Sequence, residues 1–234
     1  MTKTLIFGGT DGMGRAIADR LVAQGSQVHI TSRSADKIAA AGLPGSVCDV
    51  LDADQIKAAV AEAGDGLSGL VFAVGSIVLK PLKALKADDF LQAFTLNTLA
   101  AAQAVQAAVP TLKANQGSVL LFSTVAVARG FANHAAISAA KGGVEGLTRA
   151  LAAELAPHIR VNCLAPSLTD TAMAKSMTGN EAMASALAKM HPLGRLGEAQ
   201  DFGDLGAFLV SPQSSWMTGQ IIGVDGGRSA LAGK

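Results

Sequence analysis

Short apolar runs alternate with longer runs of mixed character from one end of the chain to the other. The short runs are Thr4–Phe7, Gln27–Thr31, Ser46–Cys48, Gly69–Val74, Ser118–Ser123, Arg160–Leu164 and Gln220–Val224. Most are apolar at successive positions, which suits strands covered by helices on both faces. The longer runs carry apolar residues at helical spacing: Gly12–Ala23, Ala35–Ala41, Ala53–Ala63, Asp88–Lys113, Ala135–Ala156 and Glu198–Val210. Ser34, Asp52 and either Thr178 or Asn180 are candidate N-caps, because short polar side chains satisfy the free N–H groups of a first turn. Strand–helix alternation along the whole chain predicts an α/β fold, a doubly wound parallel sheet of about seven strands with helices on both faces, in one domain. One stretch breaks the pattern. Ser167–Gly197 is polar and rich in methionine, and it reads as a mobile loop with a short helix, of the kind that forms a lid over a pocket.

Composition narrows the classes of function. The chain has 234 residues, half of them hydrophobic and 16% charged, with 19 Lys+Arg against 18 Asp+Glu and a net charge of +1. A chain of this length buries roughly seven-tenths of its unfolded surface, enough for one substantial core. Disorder is excluded by the high hydrophobicity. The balanced charge predicts no nucleic-acid partner, which would need a basic stripe. No apolar run approaches the ~18 residues of a membrane span. The first residues enter a strand without a signal-peptide pattern, so a cytoplasmic location is expected. Cys48 and Cys163 are too few for a disulfide framework and read as buried thiols. His29, His158 and His191 lack ligand spacing, and no metal is expected. The chain contains no tyrosine, so any mechanism that needs a phenol as proton donor is excluded.

The first strand runs into Phe7-Gly8-Gly9-Thr10-Asp11-Gly12-Met13-Gly14, where a helix begins. Glycines allow a tight turn and let a pyrophosphate approach the helix N-terminus, whose free N–H groups favour anions. A dinucleotide site of this kind places an acidic residue about 20 residues later, to hold a ribose diol. Here Ser32-Arg33 stands at that point, and a guanidinium suits a 2′-phosphate. NADP(H) is therefore favoured. Asp11 within the turn opposes a second phosphate and leaves NAD(H) open.

These residues belong to a wider pattern. Gly8-x-x-x-Gly12-Met13-Gly14, Cys48-Asp49-Val50, Thr95-Leu96-Asn97, Arg160-Val161-Asn162-Cys163-Leu164-Ala165-Pro166 and Met217-Thr218-Gly219-Gln220 through Val224-Asp225-Gly226-Gly227 occur in that order. Over nearly its full length the chain resembles the short-chain dehydrogenase/reductase family. The resemblance implies a Rossmann-type sheet, a dinucleotide cofactor, a small-molecule substrate and a homo-oligomer, a tetramer or a dimer. The helices Asp88–Lys113 and Ala135–Ala156 would pack across the subunit interface. Cofactor contacts are implied at Gly8, Thr10, Asp11, Gly12, Met13, Gly14, Ser32, Arg33, Asp49, Val50, Ala73, Gly75, Lys141, Pro166, Thr169 and Thr171.

The catalytic positions depart from the family. Members act through Ser, Tyr and Lys with the Asn of the fourth helix, the Tyr and Lys spaced Tyr-x-x-x-Lys on one helix face. Here the segment is Ile137-Ser138-Ala139-Ala140-Lys141, and the usual serine position holds Thr124. Lys141 is retained, Asn97 is present, and Ile137 cannot donate a proton. Phe72-Ala73-Val74-Gly75 replaces the usual Asn-Asn-Ala-Gly, and Ser167 replaces a glycine after Pro166. Thr124 is a candidate to hold a carbonyl oxygen, and His134, one turn before Ile137, is a candidate acid. Ile137, Phe131 and Met173 would line an apolar substrate pocket. Three functions fit: an NADP(H)-dependent oxidoreductase with an altered proton path, a nucleotide-binding sensor or structural partner without chemistry, and a lyase or isomerase using His134 or Lys141 as base.

Overall fold

The computed structural model describes residues 2–231. The chain runs through β1 (Lys3–Phe7), α1 (Gly12–Ala23), β2 (Gln27–Ser32), α2 (Ala35–Ala41), β3 (Gly45–Val47), α3 (Ala53–Ala63) and β4 (Leu67–Phe72). It continues through α4 (Ala87–Phe94), α5 (Ala100–Ala114), β5 (Ser118–Phe122), α6 (Val125–Arg129), α7 (Ala135–Leu155) and β6 (Arg160–Pro166). The last part comprises β7 (Thr169–Asp170), α8 (Lys175–Thr178), α9 (Glu181–Ala188), β8 (Gly197–Glu198), α10 (Gly203–Val210) and β9 (Ile221–Val224).

Seven strands form one parallel sheet in the order β3-β2-β1-β4-β5-β6-β9. The strand order reverses at β1, which pairs with β2 on one side and β4 on the other. In such sheets the crevice outside the C-terminal strand ends at this reversal is where ligands bind.

Alternate strand residues feed two cores. Leu5, Phe7, Leu70, Phe72, Val119 and Leu121 pack against α3, α5 and α7, while Ile6, Val71, Leu120 and Phe122 pack against α1 and α10. Burying each such side chain contributes about 1.5–3 kcal/mol. Both cores share one sheet, so the Rossmann-type fold is a single domain. Among the described residues no helix is long and apolar enough to cross a membrane.

Several element boundaries differ from the predicted ones. The run Gly69–Val74 ends as a strand at Phe72; Ala73 N–H still donates to Phe7 O at 2.9 Å, and the chain then leaves the sheet. The single helix predicted over Asp88–Lys113 is interrupted by a π turn at Thr95–Leu99. The helix predicted from Glu198 begins only at Gly203, because Glu198 pairs in β8 and a 3₁₀ turn, Ala199–Phe202, intervenes. Of the two candidate caps, Asn180 caps α9, accepting from Met183 N–H at 3.0 Å. Thr178 does not cap it; its hydroxyl donates to Asp170 at 2.8 Å. The short helix α6 was not legible as one, and Thr124 caps it by accepting from Ala126 N–H at 3.3 Å.

Candidate functional site

The site is built on the strand ends. The chain turns out of β1 at Gly8, with φ +80°, and enters α1 at Gly12, with φ +53°. A Cβ on Gly14 would lie 2.4 Å from the Gly8 carbonyl oxygen, so α1 can close onto the turn only without a side chain there. Asp11 caps α1, its carboxylate accepting from Gly12 N–H at 2.7 Å. Thr10 lies within the same turn. Ser32 ends β2 and accepts from Ser34 N–H at 3.2 Å. Arg33 is exposed and joins none of the ion pairs among the described residues. After β3, Asp49 accepts from Leu51 N–H at 3.0 Å, and Val50 is buried. These residues lie in the turns that follow β1, β2 and β3.

A cavity of about 450 Å³ adjoins the first of these turns at Met13. Met13, Ala73, Gly75, Pro166, Thr169 and Thr171 line it, as do Thr124, Phe131, His134, Ile137, Lys141 and Met173. Gly8, Thr10, Asp11, Gly12, Gly14, Ser32, Arg33, Asp49 and Val50 lie outside it. Asn97 stands behind the wall. It is buried within the π turn, donates to Ala93 O at 2.9 Å and Ser76 Oγ at 3.1 Å, and accepts from Ser76 N–H at 3.3 Å. A π turn shifts the helical ladder locally and is frequent at functional sites.

Lys141 projects from α7 into the cavity. Its ammonium is buried and donates to Phe122 O at 2.8 Å. An ammonium has three donors, and no other protein acceptor meets it among the described residues. Burial pulls its pKa down to about 8. Gly75 makes room for it: a Cβ there would lie 3.3 Å from Lys141 Nζ and 2.9 Å from Asn97 Oδ1.

The other candidates differ in freedom. Thr124 is partly occupied by its cap and by a long 3.4 Å contact to Pro166 O. His134 immediately precedes α7; its Nδ1 donates to Ala132 O at 2.7 Å, which leaves Nε2 free to accept. Ile137 is buried in the wall. The Phe131 ring lies 5.4 Å from the His134 ring and 4.5 Å from the Arg228 guanidinium carbon. Met173 is exposed at the rim.

Sequence reasoning missed three members of this site. Arg228 enters the cavity from the tail after β9. Ser167 lines the cavity, and its Oγ is 2.8 Å from Nε2 of buried His191. The serine carried a signal, as a departure after Pro166. The histidine carried none, because only the fold brings it to the serine. Among the described residues no group of three His, Cys, Asp or Glu side chains is placed to hold a metal ion.

Comparison with known proteins defines the class. Residues 8–229 match the family model described as enoyl-(acyl carrier protein) reductase. A tropinone reductase homologue of Arabidopsis thaliana is 36% identical over 238 residues, covering 95% of this chain and 90% of that protein. A short-chain type dehydrogenase/reductase from Mycobacterium ulcerans superposes with a TM-score of 0.91 at 29% identity, covering 99% of this chain and 91% of that one. An actinorhodin polyketide ketoreductase variant with NADPH gives a TM-score of 0.91 at 25% identity, over 98% of both chains. The chain belongs to the short-chain dehydrogenase/reductase family, an oxidoreductase family whose fold binds nicotinamide cofactors.

Proposed function

We propose that the protein is an NADP(H)-dependent oxidoreductase that delivers a hydride to a small activated carbonyl, imine or enone by a proton path without a phenol. The observation behind this is the placement of Lys141, a buried ammonium with one protein acceptor among the described residues, on an apolar cavity that Met13 of the glycine turn also lines. Its unspent donors fit the hydroxyls of a ribose. The turn at Gly8–Gly14, with Thr10 and Met13, fits a pyrophosphate. Asp49 and Val50 would hold the adenine, and Ser32 and Arg33 a 2′-phosphate. The carboxylate of Asp11 weighs against that phosphate and keeps NAD(H) as the alternative. Ala73, Gly75, Pro166, Thr169 and Thr171 would surround the nicotinamide, which supplies the hydride when bound.

Ile137 stands where the family's tyrosine would act and gives the pocket an apolar wall instead. Losing a positioned acid forfeits about 10²–10⁴-fold, roughly 3–5 kcal/mol. Positioning of the reactants contributes at least as much, so activated acceptors remain within reach while simple ketones turn over slowly. Thr124 holds the substrate oxygen, Asn97 fixes the loop behind Gly75, and Phe131, Ile137 and Met173 shape the pocket. Residues 167–197 close over it as a lid. The protein works in the cytoplasm as a homo-oligomer.

NADPH oxidation across a panel of carbonyls, imines and enones tests this directly. Turnover of an activated acceptor, lowered at least tenfold by Lys141→Ala, is expected. Arg33→Ala should weaken NADPH about tenfold and leave NADH unchanged. Tight NADPH binding with no turnover of any acceptor would overturn the enzymatic proposal. The absence of tyrosine favours one second reading, a nucleotide-binding sensor or structural partner, and that result would support it.

A further inference from the structure

Ser167 follows Pro166 at the end of β6 and lines two cavities. In the larger it stands with Thr124, Ile137 and Lys141. In the smaller, of about 180 Å³, it stands with His191. His191 is 3% exposed. Its Nε2 is 2.8 Å from Ser167 Oγ, and its Nδ1 is 3.0 Å from Leu187 O. A carbonyl oxygen only accepts, so Nδ1 carries a proton whether the ring is neutral or charged. The neutral ring therefore draws the one hydroxyl proton of Ser167 to Nε2, away from the larger cavity. When Nε2 is protonated the bond reverses: Nε2 donates to Oγ, and the Ser167 proton is released toward an acceptor in that cavity.

We propose that Ser167 and His191 are the proton relay of this site, Ser167 donating to the oxygen of a carbonyl substrate and the His191 imidazolium restoring that proton. The relay rests on the cavity being the hydride-transfer site proposed above. A reduced nicotinamide bound there would supply the hydride to the carbonyl carbon and be oxidised in doing so, and the C=O π pair would move onto oxygen. That oxygen takes the Ser167 proton as the Nε2–H bond breaks to re-form the serine O–H. The carbonyl becomes an alcohol, and His191 is left neutral. It recovers a proton from solvent through the smaller cavity.

The surrounding charges suit an imidazole that cycles. Asp225 lines the smaller cavity. Its burial opposes ionisation, but hydrogen bonds from Ser229 and Gly227 and the nearby His191 hold its carboxyl below the ordinary range. Arg195 and Asp201, on the same cavity, pair through two contacts of 2.7 Å and largely neutralise each other. Arg228, 3.7 Å from Met190 Sδ, faces the larger cavity.

The experiment compares two acceptors with NADPH, a carbonyl and a preformed cyclic iminium. The carbonyl needs a proton; the iminium becomes a neutral amine on hydride transfer alone. Ser167→Ala, Ser167→Gly and His191→Asn should each slow the carbonyl about 100-fold, with iminium reduction and NADPH affinity changed less than about twofold. Ser167→Gly leaves the His191–Leu187 bond untouched and guards against a folding effect. Unchanged carbonyl reduction in the serine variants, or equal slowing of both acceptors, would overturn the relay while leaving the hydride site standing. If native protein reduces neither acceptor, the hydride site falls and the relay with it.

Discussion

Lys141 is stable where it is only at a cost. Its pKa in the folded chain is about 8, below the ordinary 10.5, because burial disfavours the charge. Between those values the unfolded chain holds a proton that the folded chain has released, so stability rises with pH from about 8 to about 10.5. Below about 8 the cost is present in full, on the order of 3 kcal/mol at 1.36 kcal/mol per unit. Lys141→Met should therefore raise the melting temperature of the ligand-free protein near pH 7 by about 5 °C. The same change should remove the stabilisation given by NADPH, and differential scanning fluorimetry reads both. A melting temperature that falls without ligand would contradict this account of the ammonium. The place of Lys141 came from the family resemblance, which sets it four residues after Ile137 on one helix face. The neighbourhood of Ser167 was not legible, since His191 reaches it from the far end of the polar stretch through contacts that no local pattern encodes.

At the level of elements, the long helical passage from α4 to α5 shows why some boundaries escape a sequence. Its apolar positions continue at helical spacing through Thr95–Leu99, and a π turn adds a residue to the ladder without any mark in composition. The end of β4 was hidden for a different reason. Ala73 and Val74 remain apolar after the strand stops because they become wall for the cavity, and one preference serves both roles. The parallel sheet itself was legible, since each strand must be apolar on both faces. Asn97, inside the π turn, ties the passage to Ser76. Asn97→Ala leaves the N–H and hydroxyl of half-buried Ser76 without that partner, at about 1–3 kcal/mol. Hydrogen exchange should quicken at residues 75–79 beyond any change in the sheet. Protection unchanged there would mean that the loop is held by other contacts.

For the whole molecule, exposed apolar side chains occur in many places, α4 and the π turn among them. Leu91, Phe94 and Leu99 are 63%, 47% and 44% exposed on α4 and the π turn, on the same helical passage that the family resemblance assigns to an interface. Scattered exposed apolar residues are ordinary, but three within one short helical passage form the start of a patch. Phe94 also lies over Gly143 of α7, whose added Cβ would come within 3.1 Å of its ring. Small residues on α7 thus allow a second helix to approach. Phe94→Glu should convert a homo-oligomer to monomer in sedimentation velocity at micromolar concentration. A native chain that sediments as a monomer would remove the proposed assembly. The sequence could name the two helices but not their open patch, which depends on what the rest of the chain leaves uncovered.

The small ladder between β7 and β8 joins Thr169 to Gly197 and Asp170 to Glu198. It stitches together the two ends of the excursion that carries α8 and α9. The entropy of bringing those ends together is therefore already spent in the resting chain. The excursion stands on a sewn base, and a single nick at its outer bend, near Gly179 and Asn180, would leave each half still fastened to the body.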